Sequence, residues 1–520
     1  MQAGIALLAV GCPPIASASS PAGPAGPHFF ESRAYPQWTP EDPSFDECTI
    51  AAISGVASAD GRPMIWKNRD TGYQDNEVVH FTDGKYAYLA LVGAGETNKA
   101  WLGVNERGFA VQNALSYNIA DTYNGGITNG ALMKLALQNC ADIADFEALL
   151  LQTNQSGRDN PANLAVLDAH GAVAMFEVGN FAYVRFDAND PDEAPNGILV
   201  RANFSLSADT TGLDTWRYRR ALSLVEEARS SDGVTAAGLA RVARDLMAAD
   251  CDPYPLPYEG APPGYPKYVG YVNTRETISR SSTVASGVIC GVHPGEDPRL
   301  STFYAFLGLP LITPALPLWV AAGQTPPEVD GPYTAPFCDA SRERRRRCYD
   351  VMYNPYLLNT WRIIERDPSH GEILSDVEVI ENHMLNSADK LLRQWRVDGV
   401  DPAAMAIAER HLVERAYDHY TRTGQFASRD LSLDLLDPRN EGGSLGVGTS
   451  ARSLEIFDIA GRLVASVRPE PGQIETGMSR FAGPVRWDGR RADGSPAPSG
   501  VYYGRAPGER HQIARYVIVR

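Results

Sequence analysis

The chain lacks the marks of a metalloprotein, a membrane-spanning protein or a nucleic-acid binder. Its seven cysteines include no CxxC pair and no His/Cys cluster at zinc spacing, which argues against a structural metal, and no motif calls for a cofactor. No apolar run approaches the ~20 residues that cross a bilayer, so no integral membrane span is expected. Basic residues are in deficit, 47 Lys+Arg against 63 Asp+Glu for a net charge of -16, which opposes a nucleic-acid or anionic-membrane partner. The single basic run, Arg342 to Arg347, reads as a solvated helix face or a clamp on nearby carboxylates.

What is present begins with a short apolar segment, Ile5 to Val10, followed by small residues; Ala16-Ser17-Ala18 fits a small-x-small cleavage site. Residues 1–18 therefore read as an export signal, although no Lys or Arg precedes the segment. Ala9-Val10-Gly11-Cys12 is a rival, a lipoprotein-type box that would anchor the chain by a lipid on Cys12. Residues 19–47, rich in Pro, Gly, Ala and Ser, read as a pro-segment or tether. The expected address is extracytoplasmic: periplasm, cell surface or medium.

The stretch from Cys48 to Asp70 organises the rest. Cys48-Thr49 opens an apolar run, a polar turn follows at Asp60-Gly61-Arg62, and a second apolar run (Met64, Ile65, Trp66) leads into Lys67-Asn68-Arg69-Asp70, the pattern of a β-hairpin. Were the chain cut just before Cys48, one residue would carry a thiol and a free amine. An α-amino group titrates near ~7.7–8.0 and a thiol near ~8.5, so the amine can take the thiol's proton at neutral pH without a distant histidine.

Beyond the hairpin, Tyr86–Val92, Trp101–Val104 and Phe109–Asn113 alternate as strands, Gly130–Gln138 and Ile143–Leu151 carry helical periodicity, and Asn163–Leu167, Val173–Val178 and Ile198–Phe204 are further strands. Residues 209–252 read as helical and 251–266 as a Pro/Tyr-rich loop, before a second block of strands at Tyr268–Val272, Thr283–Val292 and Phe303–Phe306. Strands in two blocks around helices suggest an α+β fold with helices covering layered antiparallel sheets. Cys338 and Cys348 are close enough in sequence for a local disulfide, and Cys140, Cys251 and Cys290 read as buried thiols or as partners of one another. The odd count leaves one thiol unpaired, with Cys48 the candidate. Residues 338–424 are helix-rich, and their lone histidines, His383 and His411, are expected to satisfy local hydrogen bonds.

Cys-Thr at the start of a hairpin, DGR at its turn, KNxD at its end, then GxNExG and an Arg-Ala-Asn-Phe segment together resemble the N-terminal-nucleophile (Ntn) hydrolases of the choloylglycine hydrolase and penicillin acyltransferase group. The resemblance spans roughly Cys48 to Pro317 and implies a four-layer αββα sandwich that matures by cutting itself before the cysteine. It implies Cys48 as nucleophile through its sulfur and base through its own amine, and Asp70 as the group holding that amine or thiol. Asn203 would donate to the oxyanion, with Asn113 or Ser116 completing the hole, Asn113 being favoured. Arg280 is implied as a site arginine near the thiol. Lys67 stands where the bile-salt enzymes place an arginine, which keeps the charge but not the two-pronged geometry.

The tail, residues 453–520, alternates short strands with Gly/Asp/Pro turns, which argues a small β-sandwich. Its WDGR…DG…PSGVYY order resembles the Ig-like C-terminal modules related to the flagellar hook-capping protein, which implies sorting or surface attachment. The expected domains are thus an export signal (1–18), a pro-segment (19–47), a catalytic domain with a helical extension (48–438), a linker (439–452) and an Ig-like domain (453–520). The expected function is an exported cysteine amidohydrolase or acyltransferase acting on a small amide or N-acyl substrate. A dipeptidase of the same clan and a non-enzymatic surface-binding protein are the alternatives.

Overall fold

The computed structural model describes residues 47–247, 271–331, 333–349, 356–364 and 373–421, with 454–458, 463–467, 490–495, 497, 500–505 and 514–518 of the C-terminal part. The expected export signal, nearly all of the pro-segment, the 251–266 loop and the 439–452 linker lie outside the described residues.

In chain order the strands are β1 (Glu47–Ile53), β2 (Met64–Asp70), β3 (Asn76–Phe81), β4 (Tyr88–Gly93), β5 (Leu102–Asn105), β6 (Ala110–Leu115), β7 (Ile127–Thr128), β8 (Arg158–Asp159), β9 (Ala162–Leu167), β10 (Val173–Val178), β11 (Tyr183–Asp187) and β12 (Ile198–Arg201), then β13 (Tyr271–Asn273), β14 (Thr283–Cys290), β15 (Thr302–Phe306), β16 (Leu316–Leu318) and β17 (Leu357–Asn359). The helices are α1 (Asn129–Asn139), α2 (Ile143–Ser156), α3 (Trp216–Asp232), α4 (Ala236–Ala243), α5 (Pro336–Cys348), α6 (Trp361–Ile364), α7 (Ile373–Asp398) and α8 (Pro402–Thr421).

Two antiparallel sheets carry the main body. The first runs β12-β1-β2-β14-β15-β16 and the second β11-β10-β9-β6-β5-β4-β3. The sheets face each other through β1, β2, β6 and β9, while α3 and α4 pack on the first sheet and α1 on the second. This explains why the apolar runs Ile50–Ile53 of β1 and Met64–Trp66 of β2 lack alternation: each is covered on both faces. The sheets approach closely at Gly287 of β14, where an added Cβ would collide with Leu102 of β5. On the far side of the second sheet, Phe146 of α2 packs between Phe109 and Phe176. Helices α1 and α2 start where Thr128 and Asp142 accept the N–H groups of Ala131 and Asp145.

Several expectations change. β3 is an added strand at the edge of the second sheet, in a segment, Asn76–Phe81, that gave no strand signal. β13 pairs with β17, apart from both main sheets, instead of joining the second block. Cys338 and Cys348 are free thiols at the two ends of α5. Ten residues of helix separate them by about 15 Å, beyond the ~4.4–6.8 Å between Cα atoms that a disulfide needs. Cys140 and Cys290 are also free thiols. In the C-terminal part β18 (Leu454–Asp458), β19 (Leu463–Val467), β20 (Gly500–Arg505) and β21 (Ala514–Ile518) form one antiparallel sheet ordered β19-β18-β20-β21. The Trp487-Asp488-Gly489 motif lies outside the described residues. No described helix is long and apolar enough to cross a membrane.

The helical extension is fastened to the first sheet by a buried ion pair. Arg244, just past α4, meets Glu381 of α7 through two bonds of 2.7 and 2.6 Å, and Glu381 also accepts the Ala315 N–H. Glu381→Ala would leave the Arg244 charge buried without its carboxylate, so a loss of about 3–5 kcal/mol is expected in urea unfolding. His383, two residues further along the same helix, was expected to make local hydrogen bonds, yet its Nε2 has no partner among the described residues. Burial pushes it down to about 4, and Arg415 and His419 push the same way. Between that value and the ordinary ~6.5 the unfolded chain binds more protons, so stability rises with pH across this window and is lost as pH falls. His383→Gln is expected to flatten that part of the profile, read as the difference in unfolding free energy between pH 4.5 and pH 7.

Candidate active site

The pairing of β1 with β2 fixes what surrounds Cys48. Glu47 lies opposite Asp70, Cys48 opposite Arg69, Thr49 opposite Asn68 and Ile50 opposite Lys67. Opposed residues share a face, so Cys48, Ile50, Lys67 and Arg69 face one way and Glu47, Thr49, Asn68 and Asp70 the other. Gln112 of β6 donates to the Ala51 and Trp66 carbonyls across the inter-sheet gap, and Asn68 donates to the Ala243 and Ile278 carbonyls on the helical side. Cys48 is 5% exposed in the uncut chain.

The nitrogen of Cys48, at the outer end of β1, donates to Asn203 Oδ1 at 2.8 Å. That oxygen also accepts Arg217 Nη2 at 3.0 Å, while Asn203 Nδ2 donates to the Leu115 carbonyl at 3.1 Å. Two donors meet on Oδ1 and an acceptor on Nδ2, so the amide orientation is dictated by its partners. Asn203, expected as an oxyanion donor, presents an acceptor to Cys48 in the uncut chain, and its Nδ2 donates to the Leu115 carbonyl. It also lies beyond the strand. β12 ends at Arg201, and Asn163 of β9 turns the chain by donating to the carbonyls of Ala202 and Phe204. Glu177 braces the same turn, pairing with Arg201 and accepting the N–H groups of Leu206 and Ser207.

Arg217, the second residue of α3, is the group the sequence reading passed over. Its Nη1 donates to the Cys48 carbonyl at 3.3 Å and to Thr49 Oγ1 at 3.2 Å. It lies 3.6 Å from Glu47 Oε2 and 3.9 Å from Asp70 Oδ2. A cation in the first turn of a helix opposes the helix dipole. That misplacement was the available signal, visible in the run Thr215-Trp216-Arg217-Tyr218.

The remaining candidates fall into two groups. Asp70 is fully buried and accepts Thr283 Oγ1 at 2.6 Å; Thr283 also accepts the Arg280 N–H, which fixes the turn leading into β14. Arg280 is brought to the site, where it pairs with Glu47 and donates to the Arg275 carbonyl. Burial pushes the Arg280 guanidinium down to about 10. Lys67 and Asn113 instead bond to each other on the inter-sheet side. Lys67 also donates to the Trp101 carbonyl, and Asn113 Nδ2 donates to Asn129 Oδ1 at 2.7 Å. The Asn113 donor, expected in the oxyanion hole, is thus engaged with α1 in the uncut chain. The alternative, Ser116, shares its hydroxyl with Ser205 and Asn118.

Similarity to known proteins is structural and distant. Penicillin V acylase from Agrobacterium tumefaciens is 16% identical with a TM-score of 0.34, over 52% of this chain and 86% of that one. A mutant conjugated bile acid hydrolase from Clostridium perfringens is 13% identical with a TM-score of 0.32, over 50% of this chain and 89% of that one. No family model and no curated protein sequence matches.

Thr283→Val removes a hydrogen bond to a buried carboxylate and leaves the volume nearly unchanged. A loss of about 1.5–3 kcal/mol is expected, measured by denaturant unfolding of the full chain.

Proposed function

We propose that the chain is an exported Ntn-type cysteine amidohydrolase or acyltransferase that cuts itself between Glu47 and Cys48 and then acts on a linear amide bond. The observation that carries this reading is the bond from the Cys48 nitrogen to Asn203 Oδ1, in a cluster of Arg217, Asp70 and Arg280 around one peptide link. A buried structural cysteine in a strand needs no such surroundings. The two facing sheets and their outer helices fit a four-layer αββα sandwich, and residues 453–520 are read as an Ig-like sorting or attachment module of an extracytoplasmic protein.

In maturation the Cys48 sulfur attacks the Glu47 carbonyl carbon, the thiol proton passes to the Cys48 nitrogen, and the C–N bond breaks to leave a thioester. Water then adds at that carbon, which releases the Glu47 carboxylate and returns the thiol. Negative charge developing on the carbonyl oxygen lies in the field of Arg217 and Arg280. Asn203 Oδ1 and the Asp70 carboxylate then hold the new α-ammonium, and Arg217 fixes the Cys48 carbonyl so that sulfur and amine stay in register. In turnover the same sulfur takes an acyl group from a substrate amide, and water or an amine resolves the thioester. The dipeptidase alternative fits less well, because a substrate's free ammonium would enter beside two guanidinium groups.

Intact-mass measurement on wild type and Cys48→Ala tests this. Wild type is expected to begin at Cys48, and Cys48→Ala to keep residues upstream. A mature wild-type chain that still carries Glu47 would end the proposal.

A further inference from the structure

Glu47 holds the place that the acyl part of a substrate must later take. In self-cleavage its carbonyl carbon is the one that bonds to the Cys48 sulfur; in turnover the substrate's carbonyl carbon is. What the protein arranges around the Glu47 side chain is therefore a picture of the acyl subsite, and that side chain is a carboxylate between two guanidinium groups, Arg217 and Arg280.

Each arginine has a partner besides Glu47. Arg217 is fixed by the Cys48 carbonyl, Thr49 Oγ1 and Asn203 Oδ1, and Arg280 by the Arg275 carbonyl and the Thr283 turn. Their side chains are 11% and 8% exposed, so both are largely withdrawn from water. Once Glu47 departs, two arginines and a new ammonium face Asp70, and the cluster goes from balanced to short of negative charge. Buried cations that lose a carboxylate are strongly unfavourable until another anion enters.

We infer that Arg217 and Arg280 form a subsite for an acidic acyl group, so that the substrate is an amide whose acyl part carries a carboxylate where Glu47 carries its own. Counting from the carbonyl carbon along Cα, Cβ and Cγ to Cδ, that acyl group is of glutaryl type. The inference rests on the proposed function and adds the substrate class. In turnover the Cys48 sulfur bonds to the glutaryl carbonyl carbon, the thiol proton goes to the departing amine, the C–N bond breaks, and water resolves the thioester to glutarate and free thiol.

The test uses the matured full chain with glutaryl-4-nitroanilide and pentanoyl-4-nitroanilide, two anilides of equal chain length that differ in the terminal carboxylate. The glutaryl substrate is expected to be favoured in kcat/KM by about tenfold or more. Arg217→Gln and Arg280→Gln, each checked by intact mass for a Cys48 start, are expected to move that ratio toward one. Should Arg280→Gln fail to mature, Arg217→Gln and the wild-type comparison decide the matter. A wild-type ratio of one or below, a ratio unchanged in the variants, or no turnover of either anilide by a chain that begins at Cys48 overturns the inference and leaves self-cleavage standing. A wild-type chain that never begins at Cys48 removes the proposed function and the inference together.

Discussion

The guanidinium of Arg217 is the interaction on which the front of this molecule depends. It joins α3 to the first residues of β1 and to the turn after β12, bonding one backbone carbonyl, one hydroxyl and one side-chain amide. Its position in the first turn of α3 sets it against the helix dipole, a penalty of about 0.3–1 kcal/mol. Hydrogen bonds from a charged donor contribute about 1.5–3 kcal/mol each, so the contacts outweigh the dipole. The Arg217 partners lie on three separate elements, so their geometry is set together: a shift in α3 moves the group that orients Cys48.

A second frame of polar residues holds the turn that presents Asn203. Asn163 takes two of its carbonyls, and Glu177, paired with Arg201, takes two of its N–H groups. These groups are buried, and an unsatisfied one would be costly, so the turn is confined to one conformation. The acceptor facing Cys48 is thus a consequence of β9 and β10 in the second sheet, while the strand that carries Cys48 lies in the first. The two sheets meet at this turn.

Much of this was legible in the sequence, for identifiable reasons. The hairpin from Cys48 to Asp70 is local, so its turn residues and apolar runs announce it. β9, β10, α1 and α2 carry clean periodicities, and the structure places them close to where the pattern does. β3 was missed because Asn76-Glu77-Val78-Val79-His80-Phe81 gives little alternation for an edge strand. The Cys338–Cys348 disulfide failed because spacing along a chain does not measure distance once a helix intervenes. Site geometry was the least legible. Lys67 shares a strand face with Cys48, yet it bonds across the gap to Asn113 of the second sheet and to the Trp101 carbonyl, a matter of how far a lysine reaches and of what faces it. Arg217 could be found only by asking why a cation stands at the wrong end of a helix.

The overall charge of the chain and the charge of the site point in opposite directions, and distance decides between them. With a net charge of -16 the molecule repels anions from afar. At physiological ionic strength that repulsion fades over about 8 Å, whereas largely buried groups are screened much less. Within the site Arg217 and Arg280 lie beside the Glu47 carboxylate with little solvent between them, so the local field prevails at contact. An acidic acyl group would be hindered in approach and favoured on arrival, which places discrimination in the bound state and not in the rate of encounter.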